Sequence, residues 1–321
     1  MSRELIQVRV AKKTLEAINI CVFELVEWHG QPLPAFSAGA HIDVHGPTGV
    51  LRQYSLCNDP AETHRYQIAV LRTSESRGGS RAMHDRLEEG DVISIGAPRN
   101  LFALEEGARR SILLAGGIGI TPILAMAERL HSLGADFELH YCARSLGHAA
   151  FYSRLARSAF AGRIVFHFDD DLSQRATRLA ALLAAPDGGS HLYVCGPKGF
   201  LQFIASTAKQ GGWADSHVHA ESFGAGTAPV LGDRVFEIHI ASSGERYTVP
   251  PDRSVASVLL DNGIEIPLSC EQGVCGTCLT GVIDGVPEHR DHYLTNAEHE
   301  ANDQFTPCCS RARSDCLTLD L

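Results

Sequence analysis

The chain has no apolar run long enough to cross a membrane. Its longest runs, such as Ile112 to Ala115, fall far short of the roughly 20 residues a spanning helix needs. Its first ten residues, MSRELIQVRV, alternate like a strand and lack the basic flank and apolar core of a signal peptide, so the cytoplasm is the expected compartment. A basic surface is missing as well. The formal net charge is −10, which argues against a nucleic-acid partner, because binding phosphates calls for positive charge. An acidic chain would better suit a protein partner that presents a basic docking patch. No internal repeat or low-complexity tract is present. No cysteine is followed two places on by a histidine, which excludes the paired Cys-x-His ligands of a Rieske centre. The sixteen histidines are given no chemical task, and His289, in Glu288-His289-Arg290-Asp291, reads as a surface or structural residue.

What is present divides along the chain. At 321 residues, two or three domains are expected. The first hundred residues read as short strands (Leu5–Val10, Ile18–Glu24, Ala40–Val44, Leu51–Leu56, Tyr66–Val70, Val92–Ile95) separated by turn clusters, with one short helix over Ser80–Leu87. That spacing predicts an antiparallel sheet closed into a barrel or sandwich. From about Arg110, strands (Ser111–Ala115, Phe137–Cys142, Ile164–Phe168, Leu192–Val194, His217–Glu221) alternate with helices (Pro122–Leu133, Arg175–Leu183, Gly199–Lys209), the pattern of a parallel α/β sheet. The segment Gly224–Asp233 is small and Gly/Pro-rich and reads as a linker. Beyond it, strands at Val235–Ala241 and Tyr247–Val249 and a helix over Ser254–Asp261 lead into a cysteine-rich third part. The boundaries expected are 1–105, 106–225 and 233–321.

Six of the ten cysteines crowd the last fifth of the chain, which points to a metal site at one end rather than a disulfide framework. Cys270, Cys275 and Cys278 have the spacing C-x4-C-x2-C, with further cysteines about thirty residues on; this is the ligand spacing of a plant-type [2Fe–2S] cluster. Gly273 and Gly276 let backbone amides turn toward the cluster sulfides. A zinc site is the competing reading, although zinc ribbons and fingers usually show paired short spacings. Adjacent Cys308 and Cys309 leave the fourth ligand open, since in an extended segment only one of the two side chains faces the cluster. Cys316, deep in the closing strand, reads as a core residue.

Two glycine-rich strand exits suggest a nucleotide site. Ala115-Gly-Gly117-Ile118-Gly-Ile-Thr121-Pro122 follows an apolar strand and opens a helix, with Thr121 as N-cap and Pro122 as first helical residue. It lacks the third glycine of G-x-G-x-x-G, so alone it is a weak signal. Tyr193-Val-Cys195-Gly196-Pro197 ends a second strand of the same unit in the same way. Together the two exits frame a crevice at the carboxyl edge of a parallel sheet, where dinucleotides bind. In the first part, Arg52 and Tyr54 share one strand face, which would suit a phosphate and a flavin ring, and Arg77-Gly78-Gly79-Ser80 opens a helix as a second candidate anion site.

Arg52-Gln-Tyr54-Ser55 in the first part, then the exits at Gly116–Pro122 and Tyr193–Pro197 in the α/β part, resemble the ferredoxin–NADP reductase superfamily. With the added CEQGVCGTC…TPCCSRA module, the chain is similar to phthalate dioxygenase reductase and the vanillate-demethylase-type reductases over essentially its whole length. The resemblance implies an FMN-binding β-barrel, an NAD-binding α/β domain and a β-grasp ferredoxin domain, with FMN rather than FAD. It places Arg52, Tyr54 and Ser55 along the flavin, Gly79 and Ser80 at its phosphate, Ala69 and Val70 on the strand behind the ring, and Phe223 on the opposite side. It assigns Gly117, Ile118, Thr121, Cys195, Gly196 and Pro197 to the nicotinamide cofactor. Its fourth cluster ligand is Cys308. The implied chemistry passes hydride from NADH to flavin and single electrons through the cluster to a Rieske-type non-haem iron oxygenase, an aromatic hydroxylase or an O- or N-demethylase. No acid–base catalytic residue is needed, and a monomer is expected. A reductase for a cytochrome P450, a free-standing diaphorase and a zinc-bearing interaction module are the alternatives. Arg144 speaks for NADPH, whereas Asp169, Asp170 and Asp171 and the resemblance favour NADH.

Overall fold

The computed structural model describes residues 5–73, 79–169, 172–223, 233–268, 271, 273, 276–291 and 293–321. They fall into two compact units, Met1–Gly224 and Ala225–Leu321.

The first unit opens with β1 (Ile6–Ala17), β2 (Ile20–Glu27), β3 (His41–His45), β4 (Leu51–Ser55), β5 (Tyr66–Leu71), the helix α1 (Gly79–Arg86) and β6 (Val92–Ile95). The six strands form one sheet in the order β4-β3-β6-β1-β2-β5, and every pairing in it is antiparallel. Its edges meet just past the end of β4. Leu56 bridges Ile68, and the Cys57 N–H donates to the Gln67 carbonyl at 2.9 Å, which curls the sheet into the expected barrel. The first strand runs seven residues beyond the expected Val10. Lys12 and Lys13 hide its second half in the sequence, and two register shifts break the period-2 pattern. Asn19, at φ 62, turns β1 into β2 in the left-handed conformation asparagine tolerates well.

The same unit continues with β7 (Arg110–Gly116), α2 (Ile120–Ser132), β8 (Phe137–Ala143), α3 (Tyr152–Ala156), β9 (Ile164–Phe168), α4 (Leu172–Leu183), β10 (Ser190–Cys195), α5 (Lys198–Gly211) and β11 (Val218–Glu221). The five strands are all parallel, in the order β11-β10-β7-β8-β9. The chain therefore leaves β7 toward β8 and later returns to β7's other side as β10, a topological switch point between β7 and β10. A buried cluster joins barrel residues Ile20, Val22, Cys57 and Ala69 to Leu113, Ile123, Leu124 and Tyr193 of this sheet and its helix α2. Burying each large aliphatic side chain there contributes about 1.5–3 kcal/mol. Arg154 ties the two halves further, donating to Gln67 Oε1 at 3.0 Å while pairing with Glu128 at 2.8 Å.

The second unit contains β12 (Phe236–Ile240), β13 (Arg246–Val249), α6 (Val255–Asp261), β14 (Thr280–Asp284), β15 (Pro287–Glu288), α7 (Asn296–Ala301), β16 (Gln304–Phe305), β17 (Arg311–Ala312) and β18 (Cys316–Leu319). Its main sheet runs β13-β12-β18-β14-β16, with β12 and β18 parallel at the centre. Alternation along β18 sends Leu317 and Leu319 into the core and leaves Cys316 half-buried on the other face, so Cys316 is not the core residue expected of it. Arg311 is 5% exposed and donates to three carbonyls, those of Arg253, Arg234 and Pro250, at 2.7, 3.0 and 3.1 Å, while lying over the Phe236 ring. Each such charge-assisted bond contributes about 1.5–3 kcal/mol, so one arginine fastens the segment before β12 and the loop between β13 and α6. No helix among the described residues is long and apolar enough to cross a membrane.

Candidate functional site

The two glycine-rich exits are neighbours in space. Cys195 pairs with Ala115 in parallel register, so β7 and β10 release their chains side by side at the switch point. The contact is backbone on backbone. A Cβ on Gly119 would lie 2.2 Å from the Cys195 carbonyl oxygen and 2.8 Å from the Gly196 nitrogen, and one on Gly196 would lie 3.0 Å from Gly116 Cα. Gly119 is thus required by the packing of one exit on the other. Gly117, by contrast, has φ 56 and open space around its Cα, so it is the position facing free room.

Both helices that leave these exits start without a side-chain cap. Gly119 precedes α2 and Pro197 precedes α5, and neither start carries a side-chain capping bond. The helix dipole makes each start attractive to an anion, although at α2 the Ile120 N–H is already bonded to the Gly117 and Ile118 carbonyls of the preceding 3-10 turn. Thr121 is not the N-cap expected of it. A 3-10 turn over Gly117–Gly119 begins the helix earlier, and the buried Thr121 hydroxyl donates back to the Ile118 carbonyl at 3.0 Å. Ile118 is half-buried, Cys195 and Gly196 are buried, and Pro197 is exposed at the rim.

Beside this crevice stands a carboxyl group that sequence reasoning passed over. Glu221 ends β11, pairs in register with Cys195, and accepts from its thiol at 3.9 Å. Burial pushes the Glu221 carboxyl up to about 8 and the Cys195 thiol well above its usual range. Glu221 is therefore mostly protonated at neutral pH and can donate a hydrogen bond. Its signal in the sequence was its place at a strand end two residues before Phe223. Because the folded protein holds this proton more tightly than the unfolded chain, the protonated form stabilises the fold below the unfolded value near 4.5, and that contribution is lost as pH rises toward 8. Glu221→Gln should therefore gain thermal stability relative to the wild type as pH is raised from 5 to 8. Melting curves at both ends of that window check it, and a constant difference would contradict it.

The proposed flavin residues are brought together only in part. Arg52 and Tyr54 sit on β4, and the Arg52 side chain lies against the start of α1, where a Cβ on Gly79 would be 3.2 Å from Arg52 Cγ and Nε. Tyr54 is half-buried, and burial pushes its phenol up to about 12. Ser55 is buried at the end of the same strand. The Ser80 hydroxyl, in the first turn of α1, lies 3.4 Å from both the amide nitrogen and the hydroxyl oxygen of Thr73; Arg77 and Gly78, between them in sequence, lie outside the described residues. On β5, Ala69 and Val70 point to opposite sides. Ala69 joins the cluster shared with the parallel sheet, and Val70 fills the barrel core with its carbonyl 2.8 Å from His84 Nε2. Phe223, just past β11, is 41% exposed.

In the second unit, Cys278 and Cys308 come from separated segments and are both buried, 3% and 2% exposed, in one cluster. Cys270 and Cys275 lie outside the described residues. Around Cys278 the backbone is left-handed at Glu271, Gly273 and Gly276. This loop is pressed onto the segment that follows it. A Cβ on Gly276 would be 2.1 Å from the Tyr293 ring, and one on Gly273 would be 2.4 Å from the Cys309 sulfur. Buried thiols and a tightly curled loop fit an iron–sulfur cluster. Cys309 is engaged elsewhere, its sulfur 3.2 Å from the Thr306 hydroxyl. Arg144 is exposed at the end of β8, Asp169 is paired with Arg175, and Asp170 and Asp171 lie outside the described residues.

Comparison with known proteins agrees with this picture. The profile of the 2Fe-2S iron-sulfur cluster binding domain matches residues 238–313, and that of the dimethylamine monooxygenase subunit DmmA-like N-terminal domain matches residues 96–218. Vanillate O-demethylase oxidoreductase of Pseudomonas sp. (strain HR199 / DSM 7063) is 52% identical over 99% of this chain and 100% of its own length. The solved structure of phthalate dioxygenase reductase is similar with a TM-score of 0.73 at 38% identity, covering 99% of this chain and 98% of that one. An intact type IV self-sufficient cytochrome P450 monooxygenase shares the architecture with a TM-score of 0.75 at 38% identity, over 99% of this chain and 41% of that one.

Proposed function

Since this chain belongs to the oxidoreductase family of vanillate O-demethylase oxidoreductase and phthalate dioxygenase reductase, we propose that it is the reductase component of a Rieske-type oxygenase system that demethylates or hydroxylates an aromatic substrate. Electrons pass from NADH through FMN to a [2Fe–2S] cluster, and from there to the oxygenase. In this reading residues 1–105 hold the flavin, 106–225 the nicotinamide cofactor and 233–321 the cluster. Cytoplasmic residence belongs to the same proposal, because NADH is supplied there.

The observation that carries the nicotinamide assignment is the meeting of two uncapped helix starts at the switch point of one parallel sheet. Gly117, Ile118 and Thr121 on one side, and Cys195, Gly196 and Pro197 on the other, would hold the pyrophosphate and ribose. Phe223 would cover the ring face until the nicotinamide displaces it, and Glu221 would hold its proton beside the nicotinamide amide. Hydride transfer then depends on distance and orientation rather than on an acid–base residue. Arg52, Tyr54, Ser55, Gly79 and Ser80 would fix FMN, with Arg52 meeting its anionic end. Ala69 and Val70 would back the ring through their main chain, since both side chains are committed to packing. Cys270, Cys275, Cys278 and Cys308 would ligate the cluster.

The test is reconstitution. Mixed with the oxygenase component of a vanillate O-demethylase system, vanillate and NADH, the protein should release formaldehyde at a rate proportional to its concentration, and NADPH should support a slower rate. A cytochrome P450 acceptor is the second reading, favoured by the likeness to the self-sufficient P450. Turnover with a P450 alone would select it. For the flavin site, Arg52→Ala should weaken FMN retention about tenfold to a hundredfold, the loss expected of a charge-assisted bond. Flavin content after gel filtration reads this out, and unchanged content refutes the role.

A further inference from the structure

A second cluster of ligating side chains lies in the C-terminal unit, and electron transfer gives it no task. His289, Asp291 and His299 each offer one ligand atom, and these atoms lie within 4.8 Å of one another. His289 Nδ1 is 3.6 Å from Asp291 Oδ1, and His299 Nε2 is 3.3 Å from Asp291 Oδ2. In a tetrahedral site with metal–ligand bonds of about 2.0–2.2 Å, the ligand atoms stand about 3.4 Å apart. The two contacts end on different oxygens of Asp291, so whichever oxygen serves as ligand, one edge of the tetrahedron is already close to that length.

His289 makes the cluster more than a polar turn. Its side chain is only 9% exposed, yet its ring nitrogens make no close hydrogen bond: Nδ1 is 3.6 Å from Asp291 Oδ1, and Asn302 is a weak partner. A buried polar atom left in that state costs about 1–3 kcal/mol, which a metal ion would offset. Burial, with repulsion from His299, lowers the pKa of His289, which favours the neutral ring that ligates metals. The Asp291 side chain is fully buried, and its two oxygens are unequally engaged. Its Oδ2 accepts from the Leu294 and Tyr293 amides at 2.9 and 3.2 Å, whereas Oδ1 has the Ser310 hydroxyl at a long 3.4 Å. The two imidazoles are stacked with centroids 4.3 Å apart and planes 23° apart. Nearly parallel rings do not aim their lone pairs at one point. His299, a quarter exposed on the short α7, is the ring free to turn off the stack.

We propose that His289, Asp291 and His299 form a binding site for one divalent transition-metal ion of the zinc type, with water as the fourth ligand. Two imidazoles and a carboxylate match that ion's preference. Through Ser310 the site adjoins the segment that carries Cys308, so the bound charge would lie beside the cluster-holding chain.

The experiment is a zinc titration of the intact holoprotein by equilibrium dialysis, with bound zinc counted by mass spectrometry and the cluster followed by its visible absorbance. One zinc should bind per chain with the absorbance unchanged. His299→Gln should weaken this binding at least about tenfold, while leaving flavin, cluster and zinc-free melting temperature as in the wild type. His289→Gln should do the same; being buried, it is also the variant more liable to misfold, so the exposed His299 carries the test. His131→Gln, on α2, should bind zinc like the wild type. Zinc uptake that bleaches the cluster, uptake equal in His299→Gln and the wild type, or no saturable uptake would each overturn the proposal.

Discussion

Cys308→Ser should leave the protein without its iron–sulfur cluster, while Cys309→Ser should keep it. The two sulfurs are neighbours in sequence and both buried at 2% exposure, so burial alone does not separate them. Both also share one core cluster with Cys278. The Cys309 sulfur has a structural task, 3.2 Å from the Thr306 hydroxyl and against Gly273, where serine can keep the same contacts with a shorter bond. Cys308 is the ligand that the resemblance implies, and a serine hydroxyl, far less acidic than a thiol, is a poor replacement for a thiolate ligand. Iron content and visible absorbance of the purified variants measure the difference. Full iron in Cys308→Ser and none in Cys309→Ser would move the ligand assignment to Cys309.

Gly119→Ala should be a strongly damaging single-methyl change in the parallel α/β part. The new Cβ would lie 2.2 Å from the Cys195 oxygen and 2.4 Å from its carbonyl carbon, backbone atoms with no side-chain freedom to yield. The two strand exits would have to part. Overpacking of this kind typically costs about 1–3 kcal/mol and occasionally more, and it strikes the frame on which both helix starts are hung. We expect a lowered melting temperature together with a large loss of NADH-dependent flavin reduction at limiting NADH. Gly117→Ala is the control, because its Cβ meets nothing within 4 Å and only the left-handed backbone at φ 56 is strained, at roughly 1–2 kcal/mol. Equal activity loss in the two variants would mean that exit packing is not what matters.

How much of this was legible in the sequence depended on whether the chemistry was local. The glycine-rich exits and the parallel α/β alternation are written within a few residues each, and both are present in the fold; the cysteine-rich segment falls within the stretch that the 2Fe-2S domain profile matches. The start of α2 was misjudged because a 3-10 turn, invisible in composition, extends the helix past its apparent cap at Thr121. Glu221 was missed because its raised pKa arises from burial at the end of β11, which only the packing of β11 beside β10 creates. The short strands β14 to β17 carry little periodicity, Gly285 follows β14 and a proline opens β15, and Arg311 looked like a surface cation although it clamps two segments of the chain. His289 was read as surface or structural; at 9% exposure its side chain is interior.

The central claim is that one chain carries electrons from NADH through a flavin to an iron–sulfur cluster. Anaerobic addition of NADH to the purified protein, followed by visible absorbance and electron paramagnetic resonance, tests it most directly. The account predicts a coloured protein whose flavin and cluster bands both bleach, with a one-electron signal from the reduced cluster. A colourless protein that holds zinc, or a flavin that bleaches while the cluster stays oxidised, would contradict it.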